Sequence, residues 1–276
     1  MRWLAGRPAW VLFPMFIVVG IAVTYAIDRT VRRYLAPETR EQATHTAGVM
    51  LQVIATIYAI LIAFVIVDEY TRVHETQAQV SSKAAALAVI DANSRALSDT
   101  ESARIHAATR SYARASIRAE IPRLEEDAAP DRSTDRALDR MFRAVQGSTP
   151  NTDAERAAYD ASLRALDEVV RTKSELIDAA RPAVPPTLAG MLFVVGLAVM
   201  AIAALLDTQH RQSHLFMVGA LGLVIWVTFA LVVSLDYPFG GIIRVTDAPL
   251  RDFLASAARS SSAATPSVTV TSRSGS

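Results

Sequence analysis

The side chains able to do chemistry are few and scattered. The 276-residue chain contains no cysteine, which removes thiolate metal sites, cysteine nucleophiles and disulfide frameworks. Its five histidines are His45, His74, His106, His210 and His214, and one spacing among them is of interest, Asp207-x-x-His210-x-x-x-His214. On a helix two histidines four apart share a face and could approach one metal ion. This segment is a short, solvent-facing turn without a third strong ligand, so neither a metal site nor a cofactor is expected. No G-x-S-x-G elbow, phosphate-cradling glycine loop or HExxH helix occurs, and the chain is not expected to be an enzyme. Asp68 and Glu69 follow an apolar run and could ring a pore mouth. On a helix, however, Asp68 falls nearly opposite the polar face described below and Glu69 at its flank. The two are read as interfacial acids paired with Arg72 or with bases of a returning helix. Lys173, one of only two lysines, sits in an apolar stripe and is read as a snorkelling edge residue.

The elements that must position these groups belong to a membrane. A composition 51% hydrophobic with mean hydropathy +0.26 is too apolar for an ordinary soluble protein of this size. A formal charge of +1 gives no global field to hold nucleic acid, and none is expected as a partner. Four windows, Trp10–Ile27, Gly48–Val67, Thr187–Leu206 and Leu215–Leu235, approach the roughly 20 apolar residues that cross a bilayer and contain no acid, base or histidine. The first lacks an A-x-A cleavage pattern before Asp28 and is read as an uncleaved span. Four spans put both termini on one side with the stretch from Asp68 to Pro186. That side carries Arg2, Arg7, Arg72, Lys83, Arg171, Lys173, Arg181, Arg244 and Arg251 near the span ends, against Arg29, Arg32, Arg33, Arg40 and Arg211 on the other. Termini and insert are therefore expected on the cytoplasmic side of the membrane.

Between the second and third spans the sequence reads as a helical bundle. No glycine or proline occurs from Val49 to Ile121, so the second span is expected to leave the membrane as one helix from about Gly48 to about Leu97. Val73, Val80 and Leu87, with Ala84, mark its buried stripe. Ser98-Asp-Thr-Glu101 and Thr152-Asp-Ala-Glu155 have the form of capping boxes that open further helices. Pro122 and Pro130 bracket an expected turn at Glu125–Asp127, and Ser133 is expected to cap a short helix to about Val145. Tyr159, Leu163, Leu166, Val170 and Ile177 should form the buried face of a long helix ending at Pro182, Pro185 and Pro186. The fold expected is all-α: four membrane helices in a 2+2 arrangement with a helical bundle inserted between the second and third. Its parts are a first pair at 1–67, a cytoplasmic insert at 68–186, a second pair at 187–235, a membrane-proximal motif at 236–254 and a disordered tail at 255–276.

Two blocks of this sequence resemble the bacterial bestrophin-like domain family. One is Tyr58-Ala-Ile-Leu-Ile-Ala-Phe-Val-Ile-Val67 with the later Lys83-Ala-Ala-Ala-Leu87. The other is Leu235-Asp236-Tyr237-Pro238-Phe239-Gly240-Gly241 with Val245 and Phe253, although Gly240 at the open position of this block makes an unusual Gly-Gly pair. The family is similar in layout to the bestrophins, pentameric ion channels whose second membrane helix lines the pore. The resemblance thus implies a homo-oligomer in the lipid bilayer, a pentamer if the likeness is complete. No bestrophin selectivity motif or calcium-clasp pattern matches residue by residue.

Two candidate sites follow. On the second span Gln52, Thr56, Ala59, Ala63, Tyr70 and His74, with Gln77, fall on one small, polar helical face. That face either lines a pore or packs against another helix, because a polar amide inside the apolar window needs a partner. In the membrane-proximal motif Asp236, Pro238, Phe239 and Gly241 either latch the last span or simply stop its helix, with Tyr237 and Phe239 anchoring at the headgroups. Two functions are compatible with this pattern: an oligomeric ion channel, or a membrane-anchored helical scaffold or sensor that binds a protein partner without conducting.

Overall fold

The computed structural model describes residues 9–34, 37–127, 129–181, 184–206, 211–236, 239 and 245–263. They are helical, and no strand occurs among them. In chain order the helices are α1 (Ala9–Tyr34), α2 (Pro37–Asn93), α3 (Asp99–Ala115), α4 (Ile121–Asp127), α5 (Arg132–Gln146), α6 (Asp153–Ala179), α7 (Pro186–Leu205), α8 (Arg211–Leu235) and α9 (Ala248–Ala263). The chain divides into two compact units, one from residues 1–76 and 179–245, the other from 77–178 and 246–276.

Three helical segments are long and apolar enough to cross a membrane among the described residues: Thr46–Ala96, Thr187–Leu205 and Gln212–Leu235. The first belongs to α2, a single 57-residue helix that passes without a break through Val67–Val80, as the absence of glycine and proline requires. It starts eleven residues before Gly48, at Pro37, whose fixed φ and missing N–H suit a first helical position.

In the first unit α1 packs against α8 and α7. The core joins Tyr58 and Ile62 of α2 to Leu192, Val199 and Met200 of α7 and to Ile225, Trp226 and Val232 of α8. Trp226 meets Phe193 and Phe229 edge to face, and those two rings are tilted against each other, with centroids 5.8 to 6.4 Å apart, arrangements favoured by the aromatic quadrupole. Glycines set the approach of α1 to α8. A Cβ at Gly20 would overlap the Trp226 indole, and one at Gly222 would overlap Thr24.

The second unit is built on Val80, Ala84, Leu87 and Ile90 of α2, all buried as the stripe requires, with Ile105 and Tyr112 of α3, Met141 and Val145 of α5 and Leu166 and Val169 of α6. Thr152 and Glu155 form their capping box: the Glu155 amide donates to Thr152 Oγ1 (3.2 Å) and Glu155 Oε2 accepts from the Thr152 and Asn151 amides.

Several local expectations are corrected. Ser98 precedes α3 but makes no side-chain cap; its hydroxyl donates to Glu101 (2.7 Å), whose other oxygen accepts from the Thr149 amide. The helix does not turn after Pro122. It continues as α4 through a π-turn at Ser116–Glu120, where the Ile121 amide bonds back to Ser116. The wider turn accommodates a proline that lacks the N–H and would crowd a regular α-helical carbonyl. α5 is capped by Asp131, not Ser133, because its carboxylate reaches both the Ser133 and Thr134 amides. The buried face of α6 runs through Ser162, Ala165, Leu166, Val169, Thr172, Lys173 and Leu176, while Val170 is exposed. Small and hydroxylated residues occupy close helix contacts that an apolar-only pattern skips. Lys173 does not snorkel; it is buried and paired with Asp135. Finally, α9 extends past Leu254 to Ala263 where a disordered tail is expected, because Phe253 and Ala257 bury one turn apart. Residues 264–276 lie outside the described residues.

Candidate functional site

Within the apolar part of α2 only a narrow strip packs against the chain's own helices. Tyr58, Ile62 and Val73 are buried against the unit's own core, whereas Gln52, Thr56, Ala59, Ala63, Tyr70 and His74 are all exposed on the chain. Much of the apolar side, at Val53, Ile57, Leu61 and Phe64, is thus left open by the chain's own helices, and so is the small, polar face. Gln52, Ala55, Thr56, Ala59, Ile60 and Ala63 line a shallow groove along it. Small residues make the hollow, since nothing beyond Cβ fills the space above Ala55, Ala59 and Ala63. The Thr56 hydroxyl is satisfied internally by the Gln52 carbonyl at 2.7 Å. The Gln52 amide has no such local partner among the described residues. Two turns on, the Tyr70 and His74 rings lie 4.2 Å apart, and His74 Nδ1 donates to the Tyr70 carbonyl over 3.1 Å. Gln77 does not line this groove. Its amide clamps the backbone of Thr246, accepting from the N–H at 2.8 Å and donating to the carbonyl.

Asp68 is exposed and Glu69 is 2% exposed. Neither forms an ion pair with Arg72 among the described residues. Arg72 instead donates through Nη2 to the carbonyls of Ala179 (3.1 Å) and Arg181 (2.6 Å), which stop the C-terminus of α6 as basic side chains commonly do. Glu69 lies two residues beyond the window Gly48–Val67. Burial pushes its carboxyl up to about 7, Asp236 and Asp68 add to the shift and Arg72 opposes it.

Asp236 accepts the Val184 amide at 2.9 Å, so the end of α8 is tied to the segment that leads into α7. Phe239 is 4% exposed and is a core residue rather than a headgroup anchor; a ring that can bury completely gains more than one left at an interface. Pro238 and Gly241 lie outside the described residues.

Asp207 and His210 also lie outside them, and no group of three His, Asp or Glu suited to a metal occurs among the described residues. His214 is committed elsewhere. Its Nε2 lies 3.0 Å from Asp28 Oδ1, with both residues buried. This pair was missed because the two are 186 residues apart. The available signal was that each abuts an apolar window, Asp28 directly after the first and His214 directly before the fourth.

A second pair closes the connection from α2 to α3. His106 Nδ1 lies 2.5 Å from Asp91, and Ser94 Oγ lies 3.4 Å from His106 Nε2. The serine is fully buried, and its hydroxyl donates to the Asp91 carbonyl at 2.7 Å. The group is thus a structural tie without an open nucleophile.

The chain matches the model of the bestrophin-like domain over residues 16–250. Among solved structures it is similar to a bacterial bestrophin homolog from Klebsiella pneumoniae, at 14% identity and TM-score 0.63 over 89% of this chain and 95% of that one. A variant of that homolog gives 14% and 0.64 over 89% and 96%, and a structure described as a membrane protein gives 15% and 0.63 over 89% and 94%. No curated protein matches by sequence. With 16–250 matched and the fold shared along nearly the whole chain, this protein is a member of the bestrophin-like domain family.

Proposed function

We propose that the protein is an oligomeric ion channel of the bacterial inner membrane. α1, the apolar part of α2, α7 and α8 are its four spans, the helical second unit is its cytoplasmic part, and α2 lines the conduction path. The observation that carries this reading is the open groove of α2: the chain leaves Gln52, Thr56, Ala59 and Ala63 uncovered together with the apolar Val53, Ile57 and Phe64, so this stretch is left for water, lipid or another copy. Likeness in fold to bacterial bestrophin homologs supports the same helix as pore lining. The 26 residues of α1 suffice for the fourth span, and the distribution of arginine and lysine supports cytoplasmic termini.

Purified oligomer in planar bilayers tests the claim. Conductance above protein-free controls is expected, and Gln52→Leu should alter it while assembly stays nearly intact, because it removes a wetted group. A folded oligomer that never conducts would remove the channel reading. If Gln52→Leu instead weakens assembly, the face is an interface between copies, where a lost interhelical hydrogen bond is worth about 0.5–2 kcal/mol. For the topology, cysteines placed singly at Ser98 and Ser213 of this cysteine-free chain should respond oppositely to an impermeant thiol reagent on intact cells. Ser213 should label and Ser98 should be protected; the reverse result inverts the orientation.

A further inference from the structure

The outer faces of the helical unit carry opposite charge. α3 and α5 pack against one another, and two arginines cross their seam. Arg140 donates to Ser111 Oγ at 3.3 Å, and Arg104 donates to the carbonyls of Ala144 and Gly147. Arg132, Arg136, Arg140 and Arg143 are all exposed and fall within about 80° of arc on α5. None of the four forms an ion pair among the described residues. Arg136 and Arg143 bond only to carbonyls one turn back, and Asp139 gives Arg143 its carbonyl rather than its carboxylate. Other exposed arginines are matched on their own helices at a spacing of three or four: Arg156 with Asp153, Arg171 with Glu168 and Glu175, and Arg251 with Asp247. α3 lacks such partners as well, since no acid occurs between Ser102 and Ala119. Arg110 and Arg114, and on α5 Arg132, Arg136 and Arg140, therefore stand four apart as like charges, which weakens a helix much as the opposite pairing strengthens it. Two packed helices that both carry this unfavourable ladder present a surface suited to an anionic partner.

The complementary face is on α6. Asp153, Asp160 and Asp167 recur at seven along its exposed side, about 10.5 Å apart at a rise of 1.5 Å per residue. Arg136 and Arg143 on α5 have that same separation. Asp160 and Asp167 form no ion pair among the described residues, and Glu168 and Glu175 outnumber the Arg171 they hold. Arg164 is the one base between Asp160 and Asp167. One chain thus exposes unmatched guanidinium groups on α5 and unmatched carboxylates on α6 at a common interval, the two groups that form the strongest forked hydrogen bonds when they meet.

We propose that α6 of one copy lies along the α3–α5 seam of the next, with Asp160 and Asp167 facing Arg136 and Arg143. The contact joins two unlike faces and is therefore heterologous, the kind that closes into a ring of copies when the rotation between them closes. Its charges set register and partner choice more than strength. The inference rests on the homo-oligomer reading and names the faces through which copies meet outside the membrane.

The test uses the full chain in membranes, where the absence of cysteine lets single thiols report neighbours. Two chains distinguished by their tags, one carrying Ser111→Cys and the other Arg164→Cys, are co-expressed and treated with a short bismaleimide. A mixed product containing one of each chain is expected. It should be lost when both chains also carry Arg136→Glu and Arg143→Glu, lost again with Asp160→Arg and Asp167→Arg, and regained when all four positions are reversed together. The four side chains are exposed, so the core is untouched, and far-UV circular dichroism checks that helix content is unchanged. If a reversed chain does not fold, salt decides: the mixed product should be scarcer at about 1 M than at about 0.1 M salt, where the charges are less screened. Absence of the mixed product, its retention after either pair of reversals, failure of the full reversal to regain it, or equal yield at the two salt concentrations would each overturn the contact. Binding of phosphatidylglycerol vesicles or of a single-stranded oligonucleotide to the wild type and not to Arg136→Glu/Arg143→Glu, with no mixed product, would give the seam to that partner and overturn it too. Light scattering of the solubilised wild type separates the two readings. An oligomer without the mixed product refutes this contact alone, and a monomer refutes the oligomeric channel as well.

Discussion

The two units bury polar groups on opposite plans. In the first, the described buried carboxylates and histidine, Asp28, Glu69 and His214, all stand just outside an apolar window, and the interior is filled by shape, as where Gly20 admits Trp226 and Gly222 admits Thr24. In the second, charge is placed at the centre. Lys83 pairs with Glu120 in the core and lies 5.2 Å over the Tyr112 ring, while burial pushes its ammonium down against the opposing pull of Glu120. The chain's other lysine, Lys173, is also buried but pairs with the half-exposed Asp135 nearer the surface. An interior next to lipid has little water with which to settle a charge, so it specifies its packing by fit. The helical unit, assembled from short and medium elements with many alanines, specifies its packing by pairing.

That contrast can be broken most directly at Lys83. Replacing it as Lys83→Met leaves Glu120 buried without its partner and should destabilise the protein by about 3–5 kcal/mol, whereas Lys83→Met with Glu120→Leu should restore most of the loss. Chemical unfolding of the full chain in detergent measures both, and a single variant costing under about 1 kcal/mol would show that charge pairing does not organise this core. The effect expected in the first unit is smaller. Gly20→Val forces a side chain into Trp226 and should cost about 1–3 kcal/mol, read as a lower melting midpoint. Gly190→Ala, where a Cβ meets nothing within 4 Å, should be tolerated. Equal effects at the two glycines would mean that shape does not set the approach of α1 to α8.

Legibility in the sequence follows the same division. The long helix α2 was readable, because Val73, Val80 and Leu87 are large, apolar and evenly spaced, and nothing between Val49 and Ile121 breaks a helix. The exposed small face at Gln52 to Ala63 was readable for the same reason, since periodicity places residues on faces even where it does not say what covers them. The buried face of α6 was misplaced because Ser162, Thr172 and Lys173 carry no apolar signal: the two hydroxyls are satisfied by carbonyls one turn back on their own helix, at Ala158 and Glu168, and the ammonium by Asp135. Thr172 is held by the Glu168 carbonyl at 2.8 Å, and Ser82 by the Glu168 carboxylate at 2.6 Å. Asp131 displaced Ser133 as a cap because a carboxylate two residues earlier can satisfy two amides at once. The Asp28–His214 pair needed the tertiary fold, as no local pattern joins residues at the two ends of a chain.

The π-turn before Pro122 amounts to one surplus residue in a helical ladder, and its effect is one of phase. Each residue advances a helix by about 100°. Relative to a regular helix running on from Tyr112, every side chain beyond Ser116–Glu120 is therefore displaced in angle, and Glu120 and Leu124 both end up buried. Excising one residue beside that turn would let the ladder close regularly with the far half on its present face, whereas drawing the turn into a regular helix at its present length would swing the far half about its axis by about 100°. The carboxylate that Lys83 requires and the leucine that seats beside it would then point elsewhere, with the composition of the core almost unchanged. In this segment the alignment of faces depends on residue number as strictly as on residue type.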